Sequence, residues 1–186
     1  PVVSDRKISV IDTVPAMTLP ELKSGKERGK VIVVDALGMN RRVFNAGFIE
    51  FCKTPGNELW LVEPIYDDAD VLDAFLGYAD KIIFPYTDIR RDAVLKDILE
   101  ISDNCIPLLV CSKRTCNGKD PVDLVRMLSE TGFHNIMVAD MDGSVSPETW
   151  ENMLDECGGL ISYSPFRTIE TECHILAKDL FPLRHE

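Results

Sequence analysis

Ionisable residues in this chain collect in the short segments that follow apolar runs. Asp12, Asp35, Glu63, Asp88, Asp140 and Asp142 place carboxylates there. Arg41, Arg42, Arg90, Arg91, Lys113, Arg114, Lys119 and Arg167 place cations there, eight of the chain's 20 Lys and Arg residues. That share is uneven for a protein of net charge −11. Carboxylates in a cleft move protons, and cations beside helix N-termini recognise phosphate or carboxylate. Asp35, Asp140 and Asp142 are therefore the catalytic candidates, with Arg41, Lys113 and Arg114 the anion-binding ones. Residues 30–42, KVIVVDALGMNRR, show the pattern most fully: four β-formers, then Asp35, Gly38 and two arginines.

Residues 112–119, SKRTCNGK, offer hydroxyls, a thiol, a glycine and three cations between an apolar run and a proline-initiated helix. The loop lacks Walker A spacing, and no GxGxxG occurs in the chain, so a standard phosphate loop or dinucleotide fingerprint is absent. The bland alternative for this loop is a mobile, solvated surface turn. His134 opens an apolar run, His174 falls in the last expected helix and His185 in the tail; each reads as structural or solvated, and no Ser-His-Asp or Cys-His constellation can be argued. Six scattered cysteines, with no CxxC pair, read as reduced thiols without a metal.

These residues need elements to hold them. The run at 31–34 is too short for a helix and suits a strand buried on both faces. Similar runs centre near residues 10, 61, 84, 109, 137 and 161, a βα step of about 25 residues. Helices are expected between them, with Asp67 or Asp68, Asp120 and Ser146 at their starts and Gly132 closing one. A last helix is expected over residues 168–180, carrying His174. The chain reads as one α/β domain over 1–186: an N-terminal strand and irregular lead-in to 29, repeated βα units over 30–167, and a C-terminal helix and tail over 168–186.

Strands alternating with helices imply a mostly parallel sheet of six or seven strands. The length favours a three-layer, doubly wound, Rossmann-like sheet. A small TIM-like βα barrel is the alternative, since YADKIIFPY and NCIPLLV resemble the strand entries of barrel enzymes, although such barrels usually need about 250 residues. Both windings place a ligand at the carboxyl ends of the strands.

Two family resemblances carry functional content. VIVVDALG followed by LWLVEP resembles the first two strands of S-adenosylmethionine-dependent methyltransferases. That resemblance implies a transferase whose cofactor lies near Asp35 and Gly38, with Glu63 on the ribose hydroxyls; the usual GxGxG turn is missing. IMVADMDGSV resembles the DxDG motif of haloacid-dehalogenase-type phosphatases, which implies Asp140 as nucleophile and Asp142 as general acid/base beside Mg²⁺. In that family the motif sits on the first strand, whereas here only some forty residues follow it.

The bulk numbers set outer limits. With 45% apolar residues the chain can build a real core. Its acidity disfavours nucleic acid and anionic membrane surfaces as partners. No stretch approaches the length of a membrane span, and the N-terminal PVVSDRK lacks a signal-peptide layout, so a cytoplasmic location is expected. The expected ligand is a small anion or nucleotide-like molecule, and homo-oligomerisation is open. The sequence points to a small-molecule enzyme, read as a transferase, with an isomerase or lyase acting on a sugar phosphate, or a non-catalytic ligand-binding domain, as the alternatives.

Overall fold

A computed structural model describes residues 7–10, 17–18, 29–34, 44, 46–86, 92–167, 169–171 and 173–175. Among these residues nine strands form: β1 (Lys7–Val10), β2 (Met17–Thr18), β3 (Gly29–Val34), β4 (Asn57–Val62), β5 (Lys81–Pro85), β6 (Cys105–Cys111), β7 (Asn135–Asp140), β8 (Gly159–Tyr163) and β9 (Cys173–Ile175). Between them lie the helices α1 (Ala46–Cys52), α2 (Asp68–Leu76), α3 (Asp92–Ile101), α4 (Pro121–Thr131) and α5 (Pro147–Glu156).

The helix starts follow local chemistry. Asp67 accepts from the amides of Ala69 and Asp70, Asp120 from those of Val122 and Asp123, and Ser146 from that of Thr149. Each cap satisfies donors that the first turn leaves unpaired. Pro121 and Pro147 occupy the first helical position, where a missing N–H costs nothing. Gly132 ends α4 with a φ of 120°, and the Phe133 amide returns to the Leu128 carbonyl.

All nine strands join one sheet in the order β2-β1-β3-β4-β5-β6-β7-β8-β9. From β3 onward every neighbouring pair is parallel, while β1 pairs antiparallel with both β2 and β3. This order corrects the doubly wound, Rossmann-like reading. A doubly wound sheet reverses direction at a switch point and so covers both faces with helices. Here the parallel strands advance in sequence without reversal, and right-handed crossovers then place every helix on the same face.

The two apolar clusters confirm that layering. One contains Val31, Val33, Leu61, Ile82, Leu109, Val138 and Leu160 from the strands, packed with Ile49, Val71, Leu95, Leu128 and Trp150 from the five helices. The other draws its buried residues from strands alone, including Ile32, Val34, Trp60, Ile83, Leu108, Met137, Ile161 and Tyr163. Successive strand residues alternate between the clusters, as a period of two requires. A sheet with helices on one face can bury its other face by curling, so that side chains from different strands fill the concave side as they do inside a barrel. The architecture is thus an α/β half-barrel: β2 and β9 lie at opposite ends, and no strand pairing joins them among the described residues.

Two further expectations change. Cys173 to Ile175, expected in a helix, forms β9 beside β8, with Ser162 paired to His174 in register. Cys111 and Cys116, expected as thiols, are joined in a disulfide. Cys52, Cys105, Cys157 and Cys173 are buried. Among the described residues no helix is long and apolar enough to cross a membrane.

Candidate functional site at the carboxyl edge

Loop 112–119 is built as two successive tight turns. Ser112 and Thr115 exchange backbone hydrogen bonds of 2.9 and 3.1 Å, and Cys116 and Lys119 exchange two of 3.0 Å. The central residues all have left-handed backbones: Lys113 (φ 52°), Arg114 (φ 65°), Asn117 (φ 52°) and Gly118 (φ 77°). Two consecutive positive φ values inside a two-residue loop are the type I′ geometry. Asn117-Gly118 is the favoured sequence for it, whereas Lys113-Arg114 costs about 1 kcal/mol or more per residue.

Three connections hold that costly turn. The Cys111–Cys116 disulfide ties the end of β6 to the start of the second turn. Asp142 Oδ2 accepts from the Ser112 hydroxyl at 3.0 Å and from the Lys113 amide at 2.7 Å. The Arg114 amide donates to Ser144 Oγ at 2.7 Å. The loop is therefore an exposed but cross-braced platform, and it presents Lys113 and Arg114 at its tip.

Asp140 and Asp142 meet different surroundings, although only Met141 separates them. Asp140 ends β7, level with Cys111, and is fully buried. Its Oδ1 accepts weakly from the Val145 amide at 3.5 Å, and its Oδ2 has no hydrogen-bond partner. Burial pushes its carboxyl above the ordinary value, assisted by the Asp142 charge and opposed by the Val145 amide and Arg167. Asp142 is exposed and lowered to about 2, chiefly by the Ser144 hydroxyl, then by the Lys113 amide and the Ser112 hydroxyl. Its other oxygen, Oδ1, accepts from the Ser144 amide at 3.1 Å. Both of its oxygens are thus engaged by the chain itself. Arg167, after β8, donates to the Gly143 carbonyl at 2.8 Å and joins this corner to the next loop.

Glu63 follows β4 and is buried, beside a cavity of about 30 Å³ shared with Phe44, Pro64, Tyr66 and Asp70. That space holds a water or two, not a ribose. Asp35, Gly38 and Arg41 lie outside the described residues, as do Asp12, Arg42, Asp88, Arg90 and Arg91. Lys113, Arg114, Asp140 and Asp142 come together at the carboxyl ends of β6 and β7; Glu63, just after β4, is two strands from β6 and three from β7. No cluster of three or more His, Cys, Asp or Glu suited to a metal occurs among the described residues.

One feature escaped the sequence. A cleft of about 410 Å³ opens beside the end of β5 and the start of α4, lined by Tyr86, Lys119, Asp120, Asp123, Leu124 and Met127. Its size suits a small metabolite. Lys119 belongs to both the cleft and the second tight turn, so pocket and platform share a boundary. Asn117-Gly118, read as a hairpin signal, would have marked the turn; nothing in the residue types marks the cleft.

No family model and no curated protein matches the sequence. Among solved structures, the chain is similar to the carboxyl transferase domain of Rhizobium etli pyruvate carboxylase, at 16% identity and a TM-score of 0.48, over 64% of this chain and 25% of that one. It is similar at the same identity and TM-score to the HMG-CoA lyase from Brucella melitensis, over 63% of this chain and 51% of that one. The chain thus spans about half or less of these structures.

Proposed function

We propose that this half-barrel binds a small anionic metabolite, a phosphate or a carboxylate, at the carboxyl edge of β5 to β7, and carries isomerase or lyase chemistry there. The observation that carries the reading is the braced turn that holds Lys113 and Arg114 in left-handed conformations. A backbone kept in so unfavourable a shape by a disulfide and two side-chain anchors fixes where both cations leave the chain, which lowers the ordering cost of binding an oxyanion. The cleft beside Lys119 would hold the body of the ligand. Asp142 acts as an anchor of the loop. Asp140, with its raised pKa and an unpaired oxygen, is the group suited to hold or move a proton.

The adenosyl-transferase reading loses its footing. It rests on a doubly wound sheet, which the strand order excludes, and on a ribose at Glu63, for which there is no room. The phosphatase reading asks Asp142 to act as general acid/base, while its oxygens serve the loop. A non-catalytic ligand-binding domain is the second reading, favoured by the complete burial of Asp140.

Isothermal titration with inorganic phosphate, sugar phosphates and small carboxylic acids tests the proposal. At least one of these ligands should bind, and Arg114→Ala should weaken it about tenfold, the loss of one charge-assisted contact. Unchanged affinity in Arg114→Ala, or no binding across the panel, would overturn the anion site. Binding that persists with no turnover of any ligand would favour the second reading.

A further inference from the structure

We propose that the outer end of α2 is a docking site for a basic, amphipathic segment of a partner protein. Four large apolar residues are exposed among those described, and three of them lie here: Leu72 (49%), Leu76 (78%) and Tyr78 (54%). Leu72 and Leu76 are one helical turn apart and share a face. Leu76 and Tyr78 border a cleft of about 340 Å³ toward α1, lined also by Phe44, Glu50 and Asp73.

Tyr78 shows that this patch is more than an accident of composition. It follows the C-cap residue Gly77 and has a φ of 75°, the left-handed position that usually belongs to glycine at a helix end. The chain does carry a glycine, but one position earlier, with an ordinary φ of −78°. Gly77 is there for space: a Cβ on it would stand 2.8 Å from Cζ of Phe44. Tyr78 therefore bears the strained conformation and leaves about half of its surface in water. A side chain that strains the backbone without being buried in return points to a task outside the fold.

Charge selects the occupant. The leucine stripe is flanked by Asp68, Asp73 and Glu50, and the sequence of α2, DADVLDAFL, contains no cation. A second copy of the chain would set these carboxylates against their own kind, a costly juxtaposition. A helix with leucine-like side chains on one face and Lys or Arg along its borders would fill the cleft and pair with the rim, the helix-in-groove mode of recognition.

The test uses the full chain and two synthetic peptides: a leucine–lysine amphipathic helix and a scrambled peptide of equal composition. Hydrogen exchange should show protection over residues 68–78 with the amphipathic peptide alone, and added salt should weaken its binding. Leu76→Ser and Tyr78→Gly should each reduce affinity about tenfold, the scale of a lost interface anchor. Tyr78→Gly should also raise the melting temperature by releasing the left-handed strain, which separates lost docking from lost folding. Equal binding of the scrambled peptide, or unchanged affinity in both variants, would overturn the proposal. So would a dimer in sedimentation that Leu76→Ser dissolves, because the patch would then serve a second copy.

Discussion

Asp142 and Asp140 make opposite contributions to stability as pH changes. Asp142 has a folded value of about 2 against an ordinary 3.8, so it supports the folded loop above 3.8 and that support disappears as pH falls toward 2. Amide exchange at Lys113 and Ser144, whose N–H groups donate to it, should accelerate through that window, and Asp142→Asn should flatten the response. Asp140 works the other way. Its folded value is raised, so its contribution is greatest below 3.8 and declines as pH rises through the raised value. Asp140→Asn should therefore leave the melting temperature at neutral pH unchanged or higher, and any turnover should fall sharply. A loss of several degrees at neutral pH would mean that the carboxylate is structural. The sequence showed that these residues end a strand, since DMDG follows four apolar residues. It could not show which carboxylate would be buried. Nor could it reveal the left-handed pair, because Lys and Arg carry no turn signal; only the disulfide and the anchors from the neighbouring loop impose that shape.

The elements were legible wherever local chemistry decides. Asp67, Asp120 and Ser146 cap helices, and Gly132 closes one, as their positions imply. The helix expected at the C-terminus is replaced at residues 173–175 by a strand that pairs with β8, so a neighbouring strand overrides a helical spacing of apolar residues there. Gly158 and Gly159 show how finely element ends are set. Nothing lies within 4 Å of a Cβ built on Gly158, whereas one on Gly159 would come 2.1 Å from the His134 carbonyl oxygen. That backbone atom cannot swing aside as a side chain would. Gly159→Ala should destabilise the fold by about 3 kcal/mol, the upper range for overpacking, with Gly158→Ala close to neutral. Denaturant unfolding of the two variants checks the contrast, and equal costs would mean that β8 enters the sheet with more freedom than its register indicates.

At the scale of the whole molecule, the βα repeat was readable and the winding was not. Buried strands in a doubly wound sheet and in a curled, singly wound one show the same unbroken apolar runs, because both faces are covered in either case. What differs is the covering: helices on two sides, or helices on one side and other strands' side chains on the second. A single strand cannot record which neighbour covers it. The curled arrangement makes a quantitative demand, since the strand-only face must be a core in its own right. Leu108 on that face and Leu128 on α4 are both almost wholly buried. Leu108→Ala and Leu128→Ala should each cost about 2–5 kcal/mol in denaturant unfolding, the range for truncating a leucine in a close-packed core. If Leu108→Ala costs less than about 1 kcal/mol, the second face is a loosely covered surface, and the half-barrel would need another chain or segment to complete it. Comparable costs would establish two cores on the two sides of one sheet, with the carboxyl edge between them as a rigid rim for the braced turn.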